Sequence, residues 1–491
     1  LRDGAIPVAP QDRKWIPQRE LLSAAINSRV GTLWKNYLWA TPRDRKLLNY
    51  LQTFPRLSAW VGEPDEVVAG KKRWNAGQGF QPDARGKGTH PARGLDDPYL
   101  EAGSLQNSHC LAAALCPIVR QHLSAEERSL EMFRRLPDAA LFQPPLLTIN
   151  QGFSQFGFFD YTVRFRHSIQ SISGPKKDTA LLYFLTAYLS SPLARYIVFH
   201  TSANVGVERD KVLLEEIVLL PFFAPNHPDA PEGARAAYEK ITTRFAAYLK
   251  SARQMDADLV RRLARANTVT GDLELIAEDE TEPAIRRVWA EKRQAATDEL
   301  HRELDPLVYA YFGLTEQEIA LVQDTWEVFD QSDTPASLAS ARARSVTLQT
   351  ITSAEALAEY ADTLCATLNA SAQGARRVNA RGYTDSSTGL SLIELNQVPV
   401  RASAKFVAEP PDPDAGKSAR RLLHAADRMR AATKERIGAV LELHQAGWYF
   451  DGPRIVIVKP SRRGEWTRTA ALNDAAELHQ HIRVAERVTA S

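Results

Sequence analysis

Three short stretches carry side chains whose types suit contact with nucleic acid. In Val163-Arg164-Phe165-Arg166-His167, two arginines stand two positions apart beside a histidine. A guanidinium fork matches a phosphate, or the O6/N7 edge of guanine, with paired hydrogen bonds. By residue type alone, a merely solvated strand face is the commoner meaning of such arginines. In Trp74-Asn75-Ala76-Gly77-Gln78-Gly79-Phe80, Gln78 has the donor and acceptor needed to read adenine in the major groove. Trp74 and Phe80 suit a DNA-facing loop and core packing equally. Asn204, Arg209 and Lys211 suit phosphate contacts, which position a duplex without reading it, or an ordinary surface loop. A Gly-rich stretch from Gly70 to Gly94 adds Lys71, Lys72, Arg73, Arg85 and Lys87, a basic loop suited to electrostatic contact but more often just solvated.

Catalytic chemistry is not visible beside these residues. Methyl transfer to a base amino group needs a Gly-rich turn for S-adenosylmethionine and a polar-Pro-Pro-aromatic segment that holds the extruded base. The Pro-Pro pairs stand instead in Gln143-Pro144-Pro145-Leu146 and Glu409-Pro410-Pro411-Asp412. Neither has the leading Asn or Asp and the trailing ring. No strand followed by GxGxxG, no P-loop, no G-x-S-x-G and no H-E-x-x-H occurs. A nuclease centre fares no better: Asp65 lacks a Glu-x-Lys at the right distance, because Lys71 and Lys72 lie too far along. His479 and His481 near Glu477 read as the wet face of a helix.

The elements that must position these residues follow from periodicity. From Phe159 to Arg166 large apolar and polar residues alternate, the period of a half-buried strand. That pattern puts Arg164 and Arg166 together on the wet face. Asp178 is placed to cap a helix through Leu181, Leu182, Leu185 and Leu189, and Ser191-Pro192 to start another. Pro225, Pro228 and Pro231 mark a boundary. Beyond them long helices are expected to Asp330, with Leu300, Leu304, Leu307, Val308 and Tyr311 on one face. Gly313 suits the end of that helix, and Thr315-Glu316-Gln317-Glu318 is a capping box for the next. A Ser/Ala/Thr-rich linker spans 331–349. Arg454 to Val458 reads as a strand, and Trp466-Thr467 leads into a final helix.

The net charge of +2 leaves only a local patch for a polyanion, because a near-neutral total hides asymmetry. Three cysteines, Cys110, Cys116 and Cys365, lack zinc spacing and read as free buried thiols of a reducing compartment. No apolar run reaches the roughly 18 residues of a membrane span. The opening Leu1-Arg2-Asp3-Gly4 lacks a signal-peptide pattern and a starting Met, which suggests a fragment or an unusual start; a cytoplasmic protein is expected.

The segments Val163-Arg164-Phe165-Arg166-His167-Ser168-Ile169-Gln170-Ser171-Ile172-Ser173-Gly174 and Leu185-Thr186-Ala187-Tyr188-Leu189-Ser190-Ser191-Pro192-Leu193-Ala194-Arg195-Tyr196 resemble parts of bacterial N-6 adenine-specific DNA methyltransferases of restriction-modification and phage-defence systems. Trp74 to Phe80, Glu303-Leu304-Asp305-Pro306-Leu307-Val308-Tyr309 and Ile457-Val458-Lys459-Pro460 match further segments in the family's order. The resemblance implies the target-recognition portion, with the catalytic domain absent or on a separate chain. It implies no cofactor in this chain, S-adenosylmethionine on the methyltransferase partner, double-stranded DNA as ligand and no membrane. An α+β fold is expected: an arm and helix over 1–59, a DNA target-recognition domain over 60–225, a helical spacer over 232–335 and a small α/β C-terminal domain over 350–491. The competing reading is a protein-interaction scaffold subunit of a phage-defence complex, favoured by near-zero charge and long helices. Metal-dependent nuclease activity is a weaker third.

Overall fold

The computed structural model describes residues 6–8, 16–26, 30–82, 90–91, 97–100, 111–116, 132–205, 211–268, 281–329, 351–371, 376–385, 389–399, 406–408, 424, 433–437, 440–443 and 447–490. The chain divides into two compact units, Ala40–Thr315 on the one hand and Leu1–Trp39 with Glu316–Ser491 on the other. Each combines helices with mainly antiparallel strands, so the fold is α+β.

The unit Ala40–Thr315 is built on a five-stranded sheet in the order Val61–Gly62, Trp74–Gln78, Ile169–Ser173, Leu146–Asn150, Phe156–Phe159. Every neighbouring pair is antiparallel except the first. The strand Ile169–Ser173 is buried along its whole length, so its sequence shows no wet face. Its polar side chains need internal partners, since an unpaired buried polar group is costly. Gln170 Nε2 donates to the Val212 carbonyl at 2.7 Å, Ser171 Oγ to that of Leu141 at 3.1 Å, and Ser173 Oγ to that of Ala140 at 3.0 Å. One side of the sheet carries the apolar helix Thr179–Leu189, where Phe158 meets both Tyr183 and Phe245 edge to face. A second core joins Phe80, Tyr99, Phe133, Phe142, Leu146, Phe159, Val163 and Phe165.

Two local expectations are corrected. The alternating run from Phe159 to Arg166 is not one strand: the sheet strand ends at Phe159, and Arg164–Phe165 forms a short parallel pair with Tyr99–Leu100. Phe159, Val163 and Phe165 are still buried, so the pattern reported burial correctly and continuity wrongly. Asp178 stands at the helix start without making a side-chain cap. Its carboxylate accepts instead from Arg73 Nε at 2.6 Å and from the Trp74 indole at 2.9 Å. Ser191 does cap the next helix, Pro192–Thr201, with Pro192 in its first turn.

The helices Ala234–Thr268 and Glu282–Tyr311 lie side by side and antiparallel. Arg244 pairs with Glu303 near one end, Tyr248 Oη meets Thr297 Oγ1 at 2.8 Å, and Trp289 Nε1 donates to Asp256 at 3.0 Å further along. The Asp256 carboxylate also accepts the backbone N–H of Ala112 at 2.9 Å. Burial pushes this carboxyl above its ordinary pKa, opposed by the Arg293 guanidinium 3.5 Å away. Leu300, Leu304, Val308 and Tyr311 are buried as the periodicity predicts, with Leu307 at the margin. Each such side chain contributes about 1.5–3 kcal/mol through burial. Gly313, at φ +67°, turns the chain out of the helix.

In the other unit a five-stranded sheet runs in the order Val407–Ala408, Arg376–Asp385, Leu390–Pro399, Arg454–Pro460, Trp448–Asp451. The helices Ala354–Ser371 and Arg468–Ala490 share one apolar core with it, around Tyr360, Ile393, Ile457 and Trp466. A charged pair is sunk in this core: Lys459 Nζ lies 2.5 Å from Asp474, which also accepts from the Tyr360 hydroxyl. The helix Glu316–Asp324 begins where the capping-box sequence predicts. The helix expected within 1–59 is several: Gln18–Ile26 and Val30–Trp39 here, and, past Ala40 and Thr41, Pro42–Leu51, which belongs to the unit Ala40–Thr315. Thr41 and Asp44 form a reciprocal capping box there. Among the described residues no single helix is long and apolar enough to cross a membrane.

Candidate nucleic-acid interface

One end of the sheet in the unit Ala40–Thr315 gathers Gln78, Arg166, His167 and Lys211, four of the residues whose types suit DNA. The strand Trp74–Gln78 leaves the sheet at Gly79, whose N–H donates to the Ile169 carbonyl at 3.1 Å. Phe80 then bridges to Arg166, its N–H donating to the Phe165 carbonyl at 3.1 Å and its carbonyl accepting from the His167 N–H at 2.9 Å. This crossing requires glycine at 79: a Cβ there would lie 2.0 Å from the Phe165 oxygen. Next along, Gln81 pairs with Arg135 of the strand Met132–Arg135. Backbone register thus brings Arg135 and the adjacent pair Arg166-His167 together, from two distant segments, on either side of Phe80-Gln81.

A second set of bonds brings in Lys211. Gln151 Nε2 donates to the His167 carbonyl at 3.0 Å, the Gln151 N–H to that of Ser168 at 3.1 Å, and the Val212 N–H to that of Gln151 at 2.7 Å. Gln151 sits in a turn that Asn150 organises by accepting the N–H groups of Ser154 and Gln155 at 3.0 Å each. Arg195 holds the same turn through the Gly152 carbonyl at 3.1 Å.

The charge of the cluster is one-sided. Arg135 and Arg166 are exposed and Lys211 half-buried. Among the described residues none of the three pairs with a carboxylate. Arg135 donates to Gln78 Oε1 at 2.9 Å, and the Arg166 guanidinium stands 6.0 Å from the centre of the Tyr99 ring. His167 registers the resulting field. Burial lowers its pKa below the ordinary value, and the positive charges of Arg135, Arg166 and Lys211 lower it further, against a raising effect of the Phe80 carbonyl. Its Nδ1 is buried without a hydrogen-bond partner.

The individual placements are as follows. Arg166, His167, Lys211 and Gln78 belong to the cluster. Trp74 and Phe80 are core side chains at 0% and 3% exposure, so of the two meanings their types allow, packing is the one realised. Arg164 is drawn away: Asp97 accepts from its Nε at 2.8 Å, and its guanidinium lies 4.6 Å from the Phe142 ring centre. Asn204 is half-buried, its N–H donating to Ser202 Oγ at 3.3 Å. Arg209, Arg85 and Lys87 lie outside the described residues. In the basic loop, Lys72 is tied to the Ser58 carbonyl at 2.6 Å and Arg73 to Asp178, while Lys71 is exposed. Arg135 and Gln151 were not singled out by the sequence. For Arg135 the one local signal is the basic pair Arg134-Arg135, directly after buried Phe133.

Neither a protein-family model nor a curated protein matches the sequence. Among solved structures, an HsdS subunit from Thermoanaerobacter tengcongensis aligns with 58% of this chain at 12% identity and a TM-score of 0.20. The alignment spans 56% of that protein's length.

The segment Gln143-Pro144-Pro145-Leu146 does not suit holding an extruded base, because Phe142 and Leu146, on either side of its prolines, are both fully buried in the core. The second Pro-Pro pair lies outside the described residues. Among the described residues, no three of His, Cys, Asp and Glu come together in a way that could hold a metal ion.

Proposed function

We propose that this chain binds double-stranded DNA through the sheet end formed by Gln78, Arg135, Arg166, His167 and Lys211. In this reading it is the target-recognition part of an adenine-specific DNA methyltransferase from a restriction-modification or phage-defence system. The observation that carries the proposal is the convergence of three cations on His167, with no carboxylate paired to any of them among the described residues. Solvated arginines on a folded surface are ordinarily interspersed with acids, and an unbalanced group suits a row of phosphates. The motif resemblance supplies the methyltransferase context. The methyl group would come from S-adenosylmethionine held by a catalytic domain or subunit in the cytoplasm, as the motif resemblance implies.

Fluorescence anisotropy of the full chain on a pooled random duplex, across a salt series, tests this reading. Binding should weaken steeply with salt, because each phosphate contact releases counterions. Absence of binding at low salt refutes DNA contact by the chain alone. Methyl transfer by the purified chain would refute the division of labour.

The scaffold reading draws on a different observation. Leu22, Ile26 and Trp34, on the helices Gln18–Ile26 and Val30–Trp39, are 56%, 83% and 53% exposed. Co-purification with a protein partner that is lost on replacing all three by serine, with DNA binding absent, would favour it.

A further inference from the structure

We infer that the cluster takes up a proton together with its anion, and that His167 is the group that receives it. The inference rests on the DNA-binding reading for the identity of the anion, a phosphate of the duplex backbone. The geometry is a backbone meeting point at His167: Phe80 pairs with Arg166 and accepts the His167 N–H at 2.9 Å, and the next residue, Gln81, pairs with Arg135. Arg135 ends the strand Met132–Arg135, Arg166 is the residue before His167, and Lys211 precedes Val212, whose N–H reaches the Gln151 carbonyl while Gln151 bonds that of His167; the charges of all three act on the ring. Two neutral groups bond the same residue: the Phe80 carbonyl, which accepts the His167 N–H, and the Gln151 amide, which donates to the His167 carbonyl. No carboxylate among the described residues acts on the ring.

In the free protein this setting keeps the ring neutral, since a fourth positive charge in a partly buried cluster of cations is unfavourable. A phosphate seated on Arg135, Arg166 and Lys211 cancels that repulsion. The Phe80 carbonyl, which already favours the charged ring, is then opposed only by burial. By linkage, whatever raises the affinity of the ring for a proton is itself bound more tightly when the proton is present. The sign is therefore fixed. Duplex affinity rises as the pH falls through the pKa of the bound state and levels off below that of the free state. Each unit between the two is about a tenfold gain in affinity.

Two measurements on the full chain test this. The first follows the His167 Cε1 resonance through a pH titration, assigned by its loss in His167→Gln, for the free protein, with inorganic phosphate and with duplex. The second measures duplex anisotropy from about pH 8 down to about pH 5.5 at constant ionic strength, for the wild type and for His167→Gln. The expected result is a titration midpoint below 6.5 in the free protein, moved upward by phosphate and by duplex, and a pH-dependent affinity that His167→Gln flattens. Duplex binding whose pH profile is the same in His167→Gln, with a His167 midpoint that duplex does not move, overturns the inference and leaves DNA binding standing. A midpoint raised by inorganic phosphate with no duplex binding at any pH upholds the proton-linked anion site and removes the DNA reading. Absence of both removes both.

Discussion

Trp74 donates its indole N–H to the Asp178 carboxylate at 2.9 Å, across 104 residues of chain. The same carboxylate takes two hydrogen bonds from Arg73, and Asp178 itself is 2% exposed. Its hydrogen bonds from Arg73 hold it below the ordinary aspartate pKa of 3.8. Asp178→Ala leaves a buried indole N–H unpaired and should cost about 1–3 kcal/mol, read as a lowered urea midpoint at pH 7. Because the folded-state pKa is depressed, this stabilisation is complete above the unfolded pKa and disappears as pH falls through the folded one. The acid side of the wild-type stability curve should therefore be steeper than that of Asp178→Asn. Equal slopes would show that the pair does not contribute.

Gly79 is where the chain passes closest to its neighbour. Gly79→Ala puts a methyl group 2.0 Å from the Phe165 oxygen and 2.6 Å from that of Arg166. The two backbones must separate, straining the Phe80 bonds that hold Arg166 and His167. A loss of about 1–3 kcal/mol in stability is expected, with duplex binding lost even under conditions where the protein stays folded. Retained binding would mean that the crossing does not position the cluster.

On the proposed DNA-binding reading, Arg164 is a structural arginine and Arg166 a binding one. Arg166→Ala and Arg135→Ala should each reduce the slope of log affinity against log salt by about 0.9, the value for one phosphate contact. Arg164→Ala breaks its pairing with Asp97 and its contact with Phe142. It should lower the melting temperature and leave the salt slope unchanged. An Arg164 variant with the larger slope change would place the contact on the other side of this turn.

The two long helices give a graded core test. Leu304 is 2% exposed and Leu307 is half-buried. Leu304→Ala should cost about 2–5 kcal/mol, and Leu307→Ala clearly less. Comparable losses in chemical denaturation would contradict the packing.

In the other unit, Asp474→Ala strands the Lys459 ammonium in the core and should cost about 3–5 kcal/mol. Replacing both partners, as Lys459→Met with Asp474→Leu, should recover most of that. Recovery would identify the pair as a requirement of mutual satisfaction; its absence would show that the Tyr360 hydroxyl, which bonds the same carboxylate, needs an acceptor of its own.

What the sequence disclosed tracks how local each signal is. The buried face from Leu300 to Tyr311, the turn at Gly313 and the start at Ser191-Pro192 depend on residues within a few positions of each other, and all three are present. The mixed α+β class was likewise legible. The cluster around His167 was only half legible. Alternation put Arg164 and Arg166 on a common wet face, but Asp97, 67 residues earlier, takes the first. Arg135 reaches the site only through the pairing of Gln81 with its strand and of Phe80 with Arg166. Trp74 looked as suited to a ligand as to a core, because the acid that satisfies its N–H belongs to another element. Partners set by pairing register leave no periodic trace.

The paired helices Ala234–Thr268 and Glu282–Tyr311, 35 and 30 residues long, also constrain how such a chain can change over generations. They run about 50 and 45 Å at 1.5 Å per residue. Inserting one residue into either turns everything beyond it by about 100°, which would swing Asp256 away from Trp289 or Leu304 out of the interior. Lengths should therefore drift among descendants in matched steps of whole turns on both helices, near seven or eleven residues at a time. The loops at the sheet end carry no such arithmetic, so their sequences can diversify quickly beside helices whose dimensions are inherited almost unchanged.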